Sequence, residues 1–348
     1  MAAARRSGSV GAALRRTLPL TAGLAALGIA SQALAWGATG HRMIGVLGAQ
    51  ALPDTIPAFL HTPEAVEEIG EIAREPDRGK GTGDPHDSDL NPAHFIDLDD
   101  LGRIKAGAPV TDLPATRAAY DAAQQSAGSD SYVQGYLPYA MIEGWQQLVK
   151  DLAYWRVDRW AEVHSADPAK RDWFARDRRL RETLTVRDLG YWAHFVGDAS
   201  QPMHVSIHFN GWGNFPNPRG YTTERVHAPF EGAFIHDHVT EAMVSARIGP
   251  YRDCACTIQQ HVGQYLMQTV GSVEPFYALE KAGGFKDGDA RGQAFAADRL
   301  AAGANMLRDL VVDAWTASAT MSVGYPPILP ADVEAGKVDP YGPLYGED

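Results

Sequence analysis

Cysteine is nearly absent from this chain, with two residues in 348, Cys254 and Cys256, separated by one alanine. That excludes a disulfide framework as the scaffold. A bond across a single intervening residue is uncommon, so two partly buried thiols are expected, with a zinc half-site as the other reading. An excess of basic charge is missing as well. Lys and Arg number 31 against 43 Asp and Glu, the net charge is −12, and no basic stripe matches acidic clusters such as 64–76 and 86–100. This argues against gripping a long track of duplex DNA by neutralising phosphates. It leaves open a chain that holds one phosphate on metal ions, because the ions bring their own positive charge. Neither a glycine-rich phosphate loop nor a dinucleotide fingerprint occurs. No internal repeat or heptad array is visible, and alternating, strand-like runs are scarce.

What is present begins at the N-terminus. Residues 1–16 carry Arg5, Arg6, Arg15 and Arg16 and no acid, an apolar run follows over 17–30, and Ala33-Leu34-Ala35 ends it. A positive region, an apolar region and a small-residue triplet are the three parts of a secretory signal peptide, so 1–35 is expected to be removed, leaving Trp36 first. The run is shorter than the roughly 20 apolar residues of a membrane span. An exported protein, periplasmic or secreted, without stable membrane insertion is the expectation.

Apolar residues then recur every three or four positions, the helical period. In the stretch 141–160 they are Ile142, Trp145, Leu148, Leu152, Trp155, Val157 and Trp160. Helical signals cover 41–52, 64–74, 115–127, 139–165, 169–180, 184–200, 228–247, 255–271 and 290–321, separated by loops at 76–92 and 206–226 rich in Gly, Pro, Asn and Asp. The reading is one all-α domain over 36–324 and an irregular Pro/Gly-rich tail over 325–348.

The chain has 12 histidines, several spaced as metal ligands. His194 and Asp198 are four apart and so share a helix face, and His204 lies just past Pro202, where the chain can turn back. Trp192, Phe195 and Val196 make their surroundings apolar, and a charged pair there needs partners, of which metal is one. His227 and Glu231 repeat the four-residue spacing. His236 and His238 fall off that face and read as surface or supporting residues. His94 follows a Pro-containing loop, Asp77 lies in another, and Trp36 and His41 open the domain.

Five blocks in order, "WGATGH", "EPDRGK", "AHFID", "HFVGDASQPMH" and "HAPFE", together resemble the zinc-dependent S1/P1 nuclease and bacterial phospholipase C superfamily. The resemblance implies three zinc ions. One would be held by Asp77, His94, His194 and Asp198; a second by His41, the other oxygen of Asp198 and the backbone amine and carbonyl of an N-terminal Trp36; the third by His204, His227 and Glu231. All are nitrogen or oxygen donors of the kind zinc accepts. Asp77 follows Glu-Pro here, where the nucleases have Trp-Ala. The implied reaction is hydrolysis of a phosphate ester by water activated between two ions, with Asp77, Asp198 and Lys80 as the catalytic residues.

The ester itself is less determined. The Trp36–His41 spacing, Lys80 (at the place of a phosphate-touching arginine) and Phe95 (a surface for stacking a base, or plain core) resemble the nucleases, which favours single-stranded DNA or RNA and 3′-nucleotides. Glu231 and "QPMH" resemble the phospholipases, with phospholipid as substrate. Arg78 reads equally as a solvated loop charge, and Trp212, Phe215 and Tyr221 read as exposed aromatics. A non-catalytic, metal-stabilised exported binding protein is the alternative of another class. No obligate protein partner is evident.

Overall fold

The computed structural model describes residues 36–346; the expected leader, 1–35, and its cleavage point lie outside the described residues. The fold is all-α. Extended pairing among the described residues is limited to three isolated bridges: Arg103 with Pro109, Phe209 with Gly211 and Val323 with Ile328. The principal helices are α1 (Gly37–Gln50), α2 (Pro63–Ile72), α3 (Arg117–Ser126), α4 (Leu137–His164), α5 (Pro168–Asp198), α6 (Ile258–Val270), α7 (Val273–Lys281) and α8 (Ala290–Ser318). No helix among these residues is long and apolar enough to cross a membrane.

α4 and α5 form an antiparallel pair. Gln147 reaches Asp188, Trp155 reaches Glu182, and Arg178 reaches back to Glu162, so rising numbers on one helix meet falling numbers on the other. The periodic apolar residues Ile142, Leu148, Leu152 and Val157 are buried along α4 as their spacing predicts. α5 starts on Asp167, whose carboxylate accepts from the Ala169 amide, with Pro168 in the first turn. It runs unbroken through 181–183, where the sequence pattern shows two helices. The charged middle stretch carries no apolar period, yet Arg, Glu and Leu are strong helix formers, and its charges pair with α4: Arg178 with Glu162 and Glu182 with Trp155.

α1 runs through the centre, packed against α2, α5 and α8. Its close crossing with α2 depends on glycine: a Cβ on Gly45 would lie 2.9 Å from the Gly70 Cα and 3.0 Å from the Ile69 carbonyl oxygen. One face of α1 therefore sits deep against the end of α5, and this brings His41 to His194 and Asp198.

Three further differences from the sequence reading have local causes. The span 228–247 is not one helix but short helical pieces, including a π-type turn at Phe230–Phe234, before a break at Val239–Thr240. α7, unforeseen, buries Val273, Phe276 and Tyr277. The tail contains two short helices, Pro330–Glu334 and Tyr341–Tyr345. Val333 is buried with Ala153 and Val157 of α4, and Tyr341 meets Trp173 and Phe174 of α5, so 325–346 packs onto the domain instead of trailing from it.

The expectation of free thiols is overturned too, because Cys254 and Cys256 are joined as a disulfide. Ala255 between them takes a left-handed φ of 49°, and its amide donates to the Asp253 carboxylate. That kink brings the two Cα atoms to 5.1 Å, inside the range a disulfide spans.

Candidate metal centre

The ligand candidates come from separate stretches of the chain. α1 supplies His41, and the short helices Glu75–Arg78 and Asn91–His94 supply Asp77 and His94. The last turns of α5 supply His194 and Asp198, and after a tight turn the segment Pro202–His204 supplies His204. His227 and Glu231 flank the start of the π-type turn. Such turns recur at functional sites because the extra residue re-aims a side chain.

Three groups that could hold metal ions result: His41, His194 and Asp198; Asp77, His94 and His194; and His204, His227 and Glu231. In the first two, His41 Nε2 lies 3.5 Å from Asp198 Oδ1, and His194 Nε2 lies 3.3 Å from Asp198 Oδ2. Asp77 Oδ1 is 3.8 Å from His94 Nε2 and 3.7 Å from His194 Nε2, while its Oδ2 is 3.9 Å from His41 Nε2. In the third, His204 and His227 Nε2 lie 3.8 and 2.8 Å from Glu231 Oε2. Two ligands about 2.1 Å from an ion at the tetrahedral angle stand about 3.4 Å apart. Most of these separations are thus too long for hydrogen bonds and near the right length for atoms sharing an ion. Asp198 and Asp77 each turn one oxygen toward His41 and the other toward His194, so either carboxylate can span two ions.

Hydrogen bonding separates these residues from ordinary buried polar groups. Nε2 of His41, His94, His194, His204 and His227, both oxygens of Asp198, and Glu231 Oε1 are buried with no hydrogen-bond partner. Leaving even one such atom unpaired costs about 1–3 kcal/mol, so this many at one place mark groups that could hold metal ions. Meanwhile His94 Nδ1 donates to the Leu90 and Asn91 carbonyls, His194 Nδ1 to Ala73 at 2.9 Å, and His204 Nδ1 to His94 at 2.6 Å. Each bond fixes the tautomer with the proton on Nδ1 and presents the Nε2 lone pair, as metal-binding histidines require. The Ile96 amide donates to the His204 carbonyl at 2.8 Å, tying the same two segments in the other direction. Gln201 supports the third group by donating to Glu231 Oε2 at 2.9 Å.

Burial shapes the charges. It lowers His41, with help from His194; it lowers His94, with help from Lys80; and it lowers His194 to about 4. These imidazoles are neutral near pH 7, the form that coordinates. Burial also pushes Asp198 well above the usual carboxylate range. For Asp77 burial acts upward but is outweighed by His194, Lys80 and His41, which bring it below its ordinary value. Glu231 is likewise brought to about 2 by His227 and His204 against the effect of burial.

Trp36 is fully buried, and its indole N–H donates to the Gly197 carbonyl and the Ser200 hydroxyl, both at 2.9 Å. The residue expected at the mature terminus is therefore pinned against the turn that carries Asp198. Lys80 stands over the centre with Nζ 2.6 Å from Asp77 Oδ1. Phe95 is half-buried and faces a cavity of about 270 Å³ lined also by Lys80, His94, His204 and His227.

Other expectations sort cleanly. Arg78 is an exposed charge at the end of the short helix Glu75–Arg78, paired with Glu75 and Glu71, His236 is exposed, and His238 packs against Phe234. Trp212 and Tyr221 are buried, not exposed, while Phe215 is 42% exposed. Asp97, Val133, Met203 and Phe209 also line the cavity, and burial pushes Asp97 up to about 7. No ligand spacing marks these four. Asp97, two residues after Phe95, and Met203, within "QPMH", lay in blocks the sequence singles out, whereas Val133 and Phe209 carried no signal. Among known proteins, no family model matches the chain and no curated sequence matches it significantly.

Proposed function

We propose that this chain is a zinc-dependent phosphodiesterase of the S1/P1 nuclease kind, exported, processed before Trp36, and acting on single-stranded nucleic acid or nucleotides. The supporting observation is the convergence, in three groups, of five histidines whose Nε2 atoms are buried without hydrogen-bond partners on three buried or nearly buried carboxylates. Bound there, zinc would supply Lewis-acid chemistry, bringing the pKa of water to about 7 and screening phosphate charge.

The chain's own groups orient the substrate. Lys80 is a nearly buried cation at the cavity edge, placed to pair with a phosphate oxygen as well as with Asp77. Phe95 and Phe209 line the same cavity, and an unpaired base can stack on either. A duplex would hide that face of the base, which is why single strands fit the reading. A phospholipase C reading draws on one observation of its own: Val133 and Phe209 are 58% and 53% exposed at the cavity, an apolar rim suited to acyl chains.

The deciding experiment compares hydrolysis of single-stranded DNA, RNA and phosphatidylcholine by the processed protein with its zinc quantified. Three zincs and nucleic-acid cleavage are expected. Diacylglycerol release alone would move the protein to the phospholipase reading, and full zinc loading with no hydrolysis of any substrate would leave a metal-stabilised binding protein.

A further inference from the structure

A second group of metal-binding side chains lies away from the cleft, where α6 begins. The ligand atoms of Cys254, Cys256 and His261 all lie within 4.8 Å of one another. The imidazole is held rather than free: His261 Nδ1 lies 3.1 Å from Asp313 Oδ2, and the other oxygen of Asp313 accepts from the Tyr251 hydroxyl at 2.8 Å. A carboxylate that orients a histidine in this way is the usual support of a metal ligand. Cys254 and His261 open together onto a cavity of about 480 Å³, which gives an ion a path in. Cys256 directly precedes Thr257, the capping residue of α6, so the first turn of that helix fixes its backbone beside His261.

We propose that Cys254, Cys256 and His261 form a redox-gated site for a single d10 metal ion, Zn²⁺ or Cu⁺, closed while the two sulfurs are bonded and opened by reduction. A phosphine opens it with balanced chemistry. The S–S bond breaks, phosphorus is oxidised and takes the oxygen of one water, and that water's two protons leave one on each sulfur. On binding the ion the two thiols release both protons. The sulfurs of a tetrahedral site stand about 3.8 Å apart with metal–sulfur bonds of about 2.3 Å, a separation reached by side-chain rotation once the bond is broken. The fourth position is left for water or for the Gln264 carbonyl, 3.9 Å from Cys254 Sγ. The cleft offers only nitrogen and oxygen, whereas this site offers two soft sulfurs, so the two differ in the ions they prefer.

That difference provides the test. The full chain, zinc-loaded in the cleft, is titrated with Co²⁺, a spectroscopic substitute for zinc, before and after anaerobic phosphine reduction. Reduction should add one bound equivalent carrying thiolate-to-cobalt charge-transfer absorption, which no nitrogen or oxygen ligand can produce. Either single variant, Cys254→Ser or Cys256→Ser, should weaken the band, and the double variant should abolish it. Asp313→Asn should keep it while weakening affinity about 10–100-fold. A reduced chain without the band, a band that survives the double serine variant, or loading that requires two chains per ion would each overturn the site. None of these readouts depends on phosphodiesterase activity.

Discussion

Buried carboxylates at two places along α5, one on that helix and one facing it from α4, are neutralised differently. At its C-terminal end Asp198 has both oxygens buried and unpartnered, ringed by imidazoles whose lone pairs face it. Midway along, on the facing α4, Asp158 likewise has both oxygens buried and unpartnered, but its neighbours are Asp177 and the side chain of Arg181 from α5. That guanidinium stands 3.7 Å from Asp177 and 3.8 Å from Asp151, near both without bonding fully to either. Burial, and then Asp177, push Asp158 up to about 9, so at neutral pH it holds a proton. An unpaired buried acid thus marks a cation site only when neutral donors converge on it. With a second carboxylate beside it, a proton suffices.

The largest test of this contrast is Asp198→Asn. Hydrolysis should fall to background and zinc should drop by two per chain, read by elemental analysis; retention of all three ions would end the idea that this carboxylate spans two. Lys80→Ala comes next, with kcat/KM down about 100-fold, as for loss of one donor aimed at developing charge, and zinc content unchanged. Loss of zinc in that variant would make Lys80 a support for Asp77 instead. Phe95→Ala should weaken single-strand binding by about 1–3 kcal/mol per stacked base, seen in KM more than in kcat. Unaltered KM would return Phe95 to the core.

Asp158→Asn is the smallest and opposite in sign. The folded chain keeps this proton up to about pH 9, whereas the ordinary value is 3.8, so stability declines as pH rises between the two. The neutral amide removes that slope. It should raise stability above neutral pH while leaving zinc and hydrolysis alone. A thermal melt series from acid to alkaline pH reads it directly. A flat wild-type profile would show that the seam holds no such proton.

Much of the cleft was legible because ligation needs particular side chains at particular spacings. His194 with Asp198 and His227 with Glu231 announce themselves by the four-residue interval. The helices 41–52 and 139–165 follow from apolar period and match α1 and α4 within a few residues. Legibility ended where tertiary contact decides. Trp212 is covered by Tyr221, Tyr277 and the stacked ring of His208, none of which its neighbours in sequence reveal. His208 itself lies four residues past His204 and looks equally like a ligand. Yet its two nitrogens are already engaged, one with the Trp212 carbonyl and one with Asp100. Asp97, Val133 and Phe209 reach one cavity from three distant stretches, so no local pattern could join them.

The paired bonds between the segments of His94 and His204 have a consequence for how the centre fills. The His94 carbonyl orients the His204 ring, and the His204 carbonyl anchors the Ile96 amide two residues beyond His94. An ion that stills either histidine therefore also stills the backbone that aims the other, and the second ion meets a site whose ordering entropy is already spent. Starved of metal, a population of this protein would divide into filled and empty molecules, with few caught between.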